Sequence, residues 1–391
     1  MKAQLLFVFL LLLSNLSLHA QDECILQGSV KGLSDGTLIS LYRGEEMTLS
    51  PFDTDTVKSE KFFFKVKTEK NNGAEHVMLI ARGEGFPNNM LDLYLLPGKT
   101  VTITGKNKLL CTWDVASDIL EQEQQNIFVN ANRKYLDRWQ ELTCITTALW
   151  KRIDTLQSKR DRDVLGDSIR YYYYPLQDSL QTLITKKELE LMKEMPINTV
   201  WLNKLRDACL HAVYEKDSIL INEAKIRYEM LTPEQRESTL GKQISVQLFP
   251  YKKVEVGNEL YDADLYDPQG YLHHLKDYKG KYLLLDFWSS SCGPCINAIP
   301  EMREMAEIWK DKLTIISISS DNKKMWEKAS QEEKMTWPNL NDFKGTVGIY
   351  AHYGIRGIPH YVLASPEGKL IHVWEGYGKG NIQMKLKEWI K

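Results

Sequence analysis

Lys281-Tyr282-Leu283-Leu284-Leu285-Asp286-Phe287-Trp288-Ser289-Ser290-Ser291-Cys292-Gly293-Pro294-Cys295 is the stretch that decides the fold of the C-terminal third. Residues 281–288 are a near-continuous apolar run of strand length, the pattern of a strand buried on both faces. Three serines interrupt it. Cys292-Gly293-Pro294-Cys295 then opens a segment, 294–311, with a helical pattern, and Pro294 suits a first helical turn. Working outward, Leu313–Ser319 is a second buried-strand run. Tyr361-Val362-Leu363 and Leu370–Trp374 are two more, joined through the tight turn Pro366-Glu367-Gly368-Lys369. Segments 322–334 and 379–390 read as helices, and Asp267-Pro268-Gln269-Gly270 as a hairpin turn. Strand, helix, strand and hairpin describe an α/β sheet layered with helices over residues 254–391.

The two cysteines sit where their chemistry needs them. Unpaired N–H groups and the positive end of a helix stabilise a thiolate. Lowering a thiol pKa from about 8.5 to about 7 takes the reactive fraction at neutral pH from a few per cent to about half. A spacing of two residues lets the second sulfur reach the first. Cys292 is thus expected to be the exposed nucleophile and Cys295 the resolving thiol beneath it. The same motif is half of a zinc knuckle, but Cys24, Cys111, Cys144 and Cys209 are isolated and supply no second pair. His273 and His274 fall in the hairpin region. We expect no metal and no cofactor.

With these residues on the page, 254–391 resembles the thioredoxin-fold module of the TlpA/ResA group of exported thiol–disulfide oxidoreductases. Asp286-Phe287-Trp288, Cys292-Gly293-Pro294-Cys295, Pro300 and Gly357-Ile358-Pro359 carry the resemblance. It implies that Asp286 is a buried carboxylate that takes the Cys295 proton and that Pro300 kinks the active-site helix. It also implies that Pro359 is a cis-proline facing the dithiol, with the peptide group beside Ile358 pairing with substrate as a strand edge does. Trp288, Gly293 and Pro294 join Ile358 and Pro359 on the implied substrate-docking surface. Each has a plainer reading: Asp286 as a strand-end carboxylate, Trp288 as core, Pro359 as a trans turn proline. Ser291 stands where many relatives carry an aromatic residue, and Ala298 where some place a buried acid, so Asp286 must do any acid–base work alone. The Gly-Pro pair is similar to that of reducing thioredoxins, near −270 mV, rather than to strong oxidants near −120 mV.

The rest of the chain has other textures. Residues 1–20, with Lys2, an apolar Leu5–Leu13 and Leu18-His19-Ala20, have the pattern of a signal peptide cleaved after Ala20; an uncleaved anchor is the alternative. Residues 22–110 show short strands separated by turns: Gly28–Gly32, Leu38–Tyr42, Lys61–Val66, His76–Ile80, Leu91–Leu96 and Thr100–Thr104. They are expected to form an N-terminal all-β sandwich or barrel-like domain. Leu93–Ile103 resembles the end of a domain of unknown function found ahead of exported thioredoxin-like modules. Residues 111–250 turn helical. Trp139, Leu142, Leu149, Ile153 and Leu156 form one apolar stripe, and Trp201, Leu205, Cys209 and Ala212 another. Thr232-Pro233-Glu234-Gln235 is a capping box. The run Tyr171–Tyr174 is expected to pack between helices. The expected whole is a multi-domain chain: an all-β domain, an α-helical region and an α/β thioredoxin fold.

Composition narrows the function. The 391 residues are 43% hydrophobic and 26% charged with a net charge of −2, so the chain as a whole is not expected to bind nucleic acid. The expected activity is an exported thiol–disulfide oxidoreductase of the periplasm or cell envelope that reduces disulfides in client proteins. Its electrons would come from a membrane-borne thiol donor. Two alternatives stand beside it. One is a thiol peroxidase, against which Leu285 replaces the proline of the peroxidase pattern. The other is a binding or sensing protein of the cell envelope in which residues 22–245 do the main work. The four isolated cysteines allow disulfides such as Cys24–Cys111 and Cys144–Cys209, or free thiols.

Overall fold

The computed structural model describes residues 23–44, 49–68, 73–83 and 85–390. The expected signal peptide lies outside the described residues. The described residues up to Arg43 and from Pro51 to Gln235 form one compact unit, and those from Arg236 onward belong to the other.

The first unit opens with β1 (Glu23–Val30), β2 (Leu38–Arg43), β3 (Ser50–Thr56), β4 (Lys61–Lys67), β5 (Glu75–Arg82), β6 (Leu91–Leu95), β7 (Thr100–Gly105) and β8 (Asp114–Ala116). They form two four-stranded sheets, ordered β4-β1-β7-β8 and β3-β2-β5-β6. Along β4, Phe62, Phe64 and Val66 are buried while the alternate residues are exposed, the period-two pattern of a half-buried strand. Gly28 is required opposite Phe62, because a Cβ there would stand 2.0 Å from the ring. The strand β3, Ser50-Pro51-Phe52-Asp53-Thr54-Asp55-Thr56, escapes a hydrophobic pattern search because it is mostly polar.

Helices α1 (Leu120–Thr155), α2 (Lys159–Ser168), α3 (Tyr174–Leu191), α4 (Thr199–Tyr214) and α5 (Ser218–Glu229) follow, then α6 (Pro233–Glu237) and α7 (Thr239–Leu248). The second apolar stripe is fully buried on α4, whose N-terminus is capped by Asn198. The capping box closes reciprocally: the Thr232 N–H donates to Gln235 Oε1 at 2.9 Å and the Gln235 N–H to Thr232 Oγ1 at 3.2 Å. The tyrosine run corrects an expectation. Tyr171 and Tyr172 are 77% and 61% exposed, not packed between helices. Ile169–Tyr173 form a π-helical turn in which the Tyr174 N–H reaches the Ile169 carbonyl. That wider turn inserts a residue and shifts the helical phase, so the side chains of Tyr171 and Tyr172 fall on the solvent side.

The second unit contains β9 (Leu265–Tyr266), β10 (Leu272–His273), β11 (Tyr282–Trp288), α8 (Gly293–Ile308), β12 (Leu313–Ser319), α9 (Lys323–Glu333), β13 (Asn339–Leu340), α10 (Ile349–Tyr353), β14 (His360–Ala364), β15 (Leu370–Glu375) and α11 (Asn381–Lys387). Five strands form one sheet in the order β13-β12-β11-β14-β15. β11 runs parallel to β12 and antiparallel to β14. Alternation along β11 divides the core. Leu283, Leu285 and Phe287 face Ile349, Tyr350 and Tyr353 of α10. Leu284 faces Ala298, Ile299 and Met302 of α8.

Candidate active site

The dithiol is placed by the end of a strand and the start of a helix. Cys292 is the N-cap of α8, and the Cys295 N–H donates to its sulfur at 3.2 Å. The loop before it is anchored: the Ser290 N–H donates to Asp321 Oδ2 at 2.7 Å, and the Cys292 N–H to the Ser289 carbonyl at 3.1 Å. Cys292 and Cys295 are joined as a disulfide, with 5.2 Å between their Cα atoms. Cys292 is half-buried and Cys295 is 2% exposed, so one sulfur is open to approach and the other lies beneath it. Ser291, Gly293 and Pro294 are exposed around the outer sulfur.

Beneath the dithiol, Trp288, Cys295, Trp326 and Ala329 form one cluster, and Cys292, Ile296, Met335 and Ile358 pack against it. The fold therefore brings Trp288 and Ile358 to the same cluster as both cysteines. The Ile358–Pro359 peptide bond is cis. Trp288 is fixed at both ends. Its indole N–H donates to Asn339 Oδ1 at 3.1 Å, and the Tyr350 hydroxyl lies 2.8 Å from its carbonyl.

Asp286 is two residues back on the same face as Trp288, the face that α8 covers. It is 1% exposed. Burial pushes its carboxyl up to about 7, and the Ser317 hydroxyl, donating to Oδ2 at 2.7 Å, pulls only partly against this. Among the described residues Oδ1 has no hydrogen-bond partner. Tyr361, paired with Asp286 in register across β14, is held well above the usual phenol range by burial and by the Asp286 charge.

Sequence reasoning missed several residues that hold this site. Ser317 carried a signal, a polar residue inside an apolar strand run. Trp337 and Asn339 carried none, because the groups they hold in the site, Ser317 and Trp288, lie 20 and 51 residues away, and Asp321 reaches the Ser290 N–H 31 residues back. The four remaining cysteines are free thiols. Cys24 and Cys209 are buried, and Cys111 and Cys144 are half-buried. Burial pushes Cys111 and Cys209 up to about 12, with nearby Asp92 and Asp207 adding to the effect, so neither is a ready nucleophile.

The model of the AhpC/TSA family matches residues 256–373. The thiol-disulfide oxidoreductase ResA of Bacillus thuringiensis is 30% identical over 142 residues, spanning 36% of this chain and 79% of ResA. The chain belongs to the ResA-like thiol–disulfide oxidoreductases. The thioredoxin-like protein YneN of Bacillus subtilis is 31% identical over 133 residues, which make up 32% of this chain and 76% of YneN. A solved thioredoxin domain of a thiol-disulfide oxidoreductase from Bacteroides vulgatus covers 36% of this chain and all of its own length, at 28% identity and a TM-score of 0.33. The ResA-like module is the thioredoxin-like C-terminal part of the protein, and its activity is thiol–disulfide exchange.

Proposed function

We propose that this ResA-like enzyme reduces disulfides in client proteins outside the cytosol, with Cys292 as nucleophile, Cys295 as resolving thiol and Asp286 as proton acceptor. One observation carries the assignment: an accessible sulfur at a helix N-terminus stands over a buried one, on the sheet face that also holds a buried carboxylate whose one hydrogen bond among the described residues is to a neutral hydroxyl. In the reduced enzyme, the Cys292 thiolate attacks one sulfur of a client disulfide. A mixed disulfide forms and the other client sulfur leaves as a thiolate. Cys295 gives its proton to Asp286, and its thiolate attacks Cys292 Sγ. The Cys292–Cys295 bond forms, the second client thiol departs, and two electrons have passed to the client. Ile358, Pro359, Trp288, Gly293 and Pro294 are the proposed docking surface, with the peptide beside Ile358 pairing with an extended client segment.

The leader-like residues 1–20 support export to the periplasm or cell envelope, where a reductant needs a supply of electrons; a membrane-borne thiol donor fits. Among the described residues no helix is long and apolar enough to cross a membrane. We read the two sheets of the first unit as the layers of a β-sandwich. The test is trapping. Cys295→Ala should accumulate clients as mixed disulfides on Cys292, and Cys292→Ala should accumulate none. The reverse pattern exchanges the two roles, and trapping by neither variant rejects the reading.

A further inference from the structure

Asp286 is held from one side, and that side is itself held. The Trp337 indole Nε1–H donates to Ser317 Oγ at 2.9 Å, and the Ser317 hydroxyl donates to Asp286 Oδ2 at 2.7 Å. An indole N–H can only donate, and a serine hydroxyl has one proton and two lone pairs. With Trp337 on a lone pair, the proton of Ser317 is directed at the carboxylate. All three groups are buried, at 8%, 0% and 1% exposure, so no bulk water competes for these bonds. The order along the fold is as direct. Asp286 and Ser317 are register neighbours on parallel β11 and β12. Trp337 lies just before the edge strand β13, and the Pro338 carbonyl between them accepts the Ser317 N–H at 3.0 Å, fixing both ends of that serine.

We propose that Trp337 and Ser317 are positioning residues for thiol exchange, a two-step hydrogen-bond relay from the sheet edge that holds Asp286 in its proton-accepting form. The inference rests on the reading of Asp286 as the acceptor for Cys295. A donor aimed at a carboxylate favours the charged form, and removing it disfavours that form. Trp337 touches neither sulfur in this scheme; it acts through Ser317. Trp337 packs in the buried cluster that holds Leu284, Ala298 and Tyr361, and it also lines a cleft of about 640 Å³.

The test is the pH profile of single-turnover disulfide reduction by the reduced, full-length enzyme, with insulin as substrate. The wild type should show an ascending limb to which both the Cys292 thiol and the Asp286 carboxyl, pushed up to about 7 by burial, contribute, and Asp286→Asn should lose the carboxyl's contribution. Ser317→Ala should move the midpoint up by about one pH unit and Trp337→Phe by about half a unit, the size expected for losing a donor to a charged group and for weakening one. Ser317→Thr keeps a hydroxyl and should keep the midpoint. If the profile of Asp286→Asn matches the wild type's, the acceptor reading falls. If Asp286→Asn changes the profile but Ser317→Ala and Trp337→Phe leave the midpoint in place, the relay falls alone. A uniform drop in rate at every pH, or a lower Tm with an unmoved midpoint, also overturns the relay. Should Trp337→Phe fail to fold, the contrast between Ser317→Ala and Ser317→Thr decides the question.

Discussion

Two of the buried carboxylates, one taken from each unit, have met different fates. Glu188 on α3 and Asp286 on β11 are 6% and 1% exposed. Burial pushes both upward from the ordinary carboxylate range. Glu188 has a cation: its Oε1 stands 2.9 Å from Lys204 Nζ on α4. Burial works against that ammonium, but Glu188, Asp92 and Asp207 together hold it above the usual lysine range. The surroundings are paired as well, His76 with Asp92 at 2.9 Å and Arg206 with Asp207 at 2.8 Å. Among the described residues, Asp286 has a neutral hydroxyl on one oxygen and no partner on the other. The first arrangement is a polar joint between a sheet and helices, its charges spent on one another. The second keeps a poorly compensated carboxylate on the sheet face that α8 covers, at a cost in stability, where the proposed mechanism has it exchange a proton. On that reading, what separates a structural acid from a reactive one is the partner, not the depth.

The largest effect should come from breaking the paired site. Lys204→Met leaves Glu188 buried without its cation and should lower the stability of the first unit by about 3–5 kcal/mol. The double variant Lys204→Met/Glu188→Leu should recover most of that loss, because both charges are then gone. Chemical denaturation of the two variants checks this. A double variant no more stable than the single one would mean that Lys204 serves Asp92 and Asp207 as much as Glu188.

The converse experiment removes the unpaired charge. The folded-state pKa of Asp286, about 7, lies above its unfolded value, so the folded protein holds a proton that the unfolded chain releases. Stability from this group is full below pH 4, falls as the pH rises through 7, and is level beyond. Asp286→Asn should therefore stabilise the oxidised enzyme at pH 8 by roughly 2–4 kcal/mol, and the gain should vanish by pH 4. The same variant should slow thiol exchange, which would make the site a case of stability given up for activity. In the first unit the sign is opposite for Asp92. Burial raises its carboxyl, but His76, Lys204 and Arg206 outweigh this and hold it low, so its contribution is lost on acidification. Thermal unfolding against pH, with Asp286→Asn beside the wild type, separates the two trends.

Much of the reactive site was legible and little of the paired one. Cys292, Cys295 and Asp286 lie within ten residues, on one apolar run and one helix start, and local pattern reads them. The groups that tune them come from elsewhere: Ser317 is 31 residues from Asp286 in sequence, and Asn339 is 51 from Trp288. No local rule links such distances. The first unit is harder, since Lys204 and Glu188 sit on different helices and each reads alone as a solvated charge. Strand β3 was illegible because Asp53, Thr54 and Asp55 mask its period.

The smallest effect expected concerns the tyrosines of the π-helical turn, and it sharpens the comparison by asking where aromatic mass is structural. At Trp288 and Trp326, fully buried beside the dithiol, truncation opens a cavity in a shared cluster. Tyr171 and Tyr172 are exposed, and the latter's ring meets Tyr173 edge-on at 5.1 Å. The π-helical turn directs their side chains to solvent while Ile169, at its start, is fully buried. Tyr171→Ser and Tyr172→Ser should each change stability by no more than about 0.5 kcal/mol, the ordinary range for surface substitutions. Tyr174 differs, because its hydroxyl accepts the Trp150 indole N–H at 3.0 Å; Tyr174→Phe should cost about 0.5–1 kcal/mol. If Tyr171→Ser cost as much as a core truncation, the turn would be packed against a surface that the phase of the helix does not show, and the distinction drawn between buried and exposed aromatics would fail at that point.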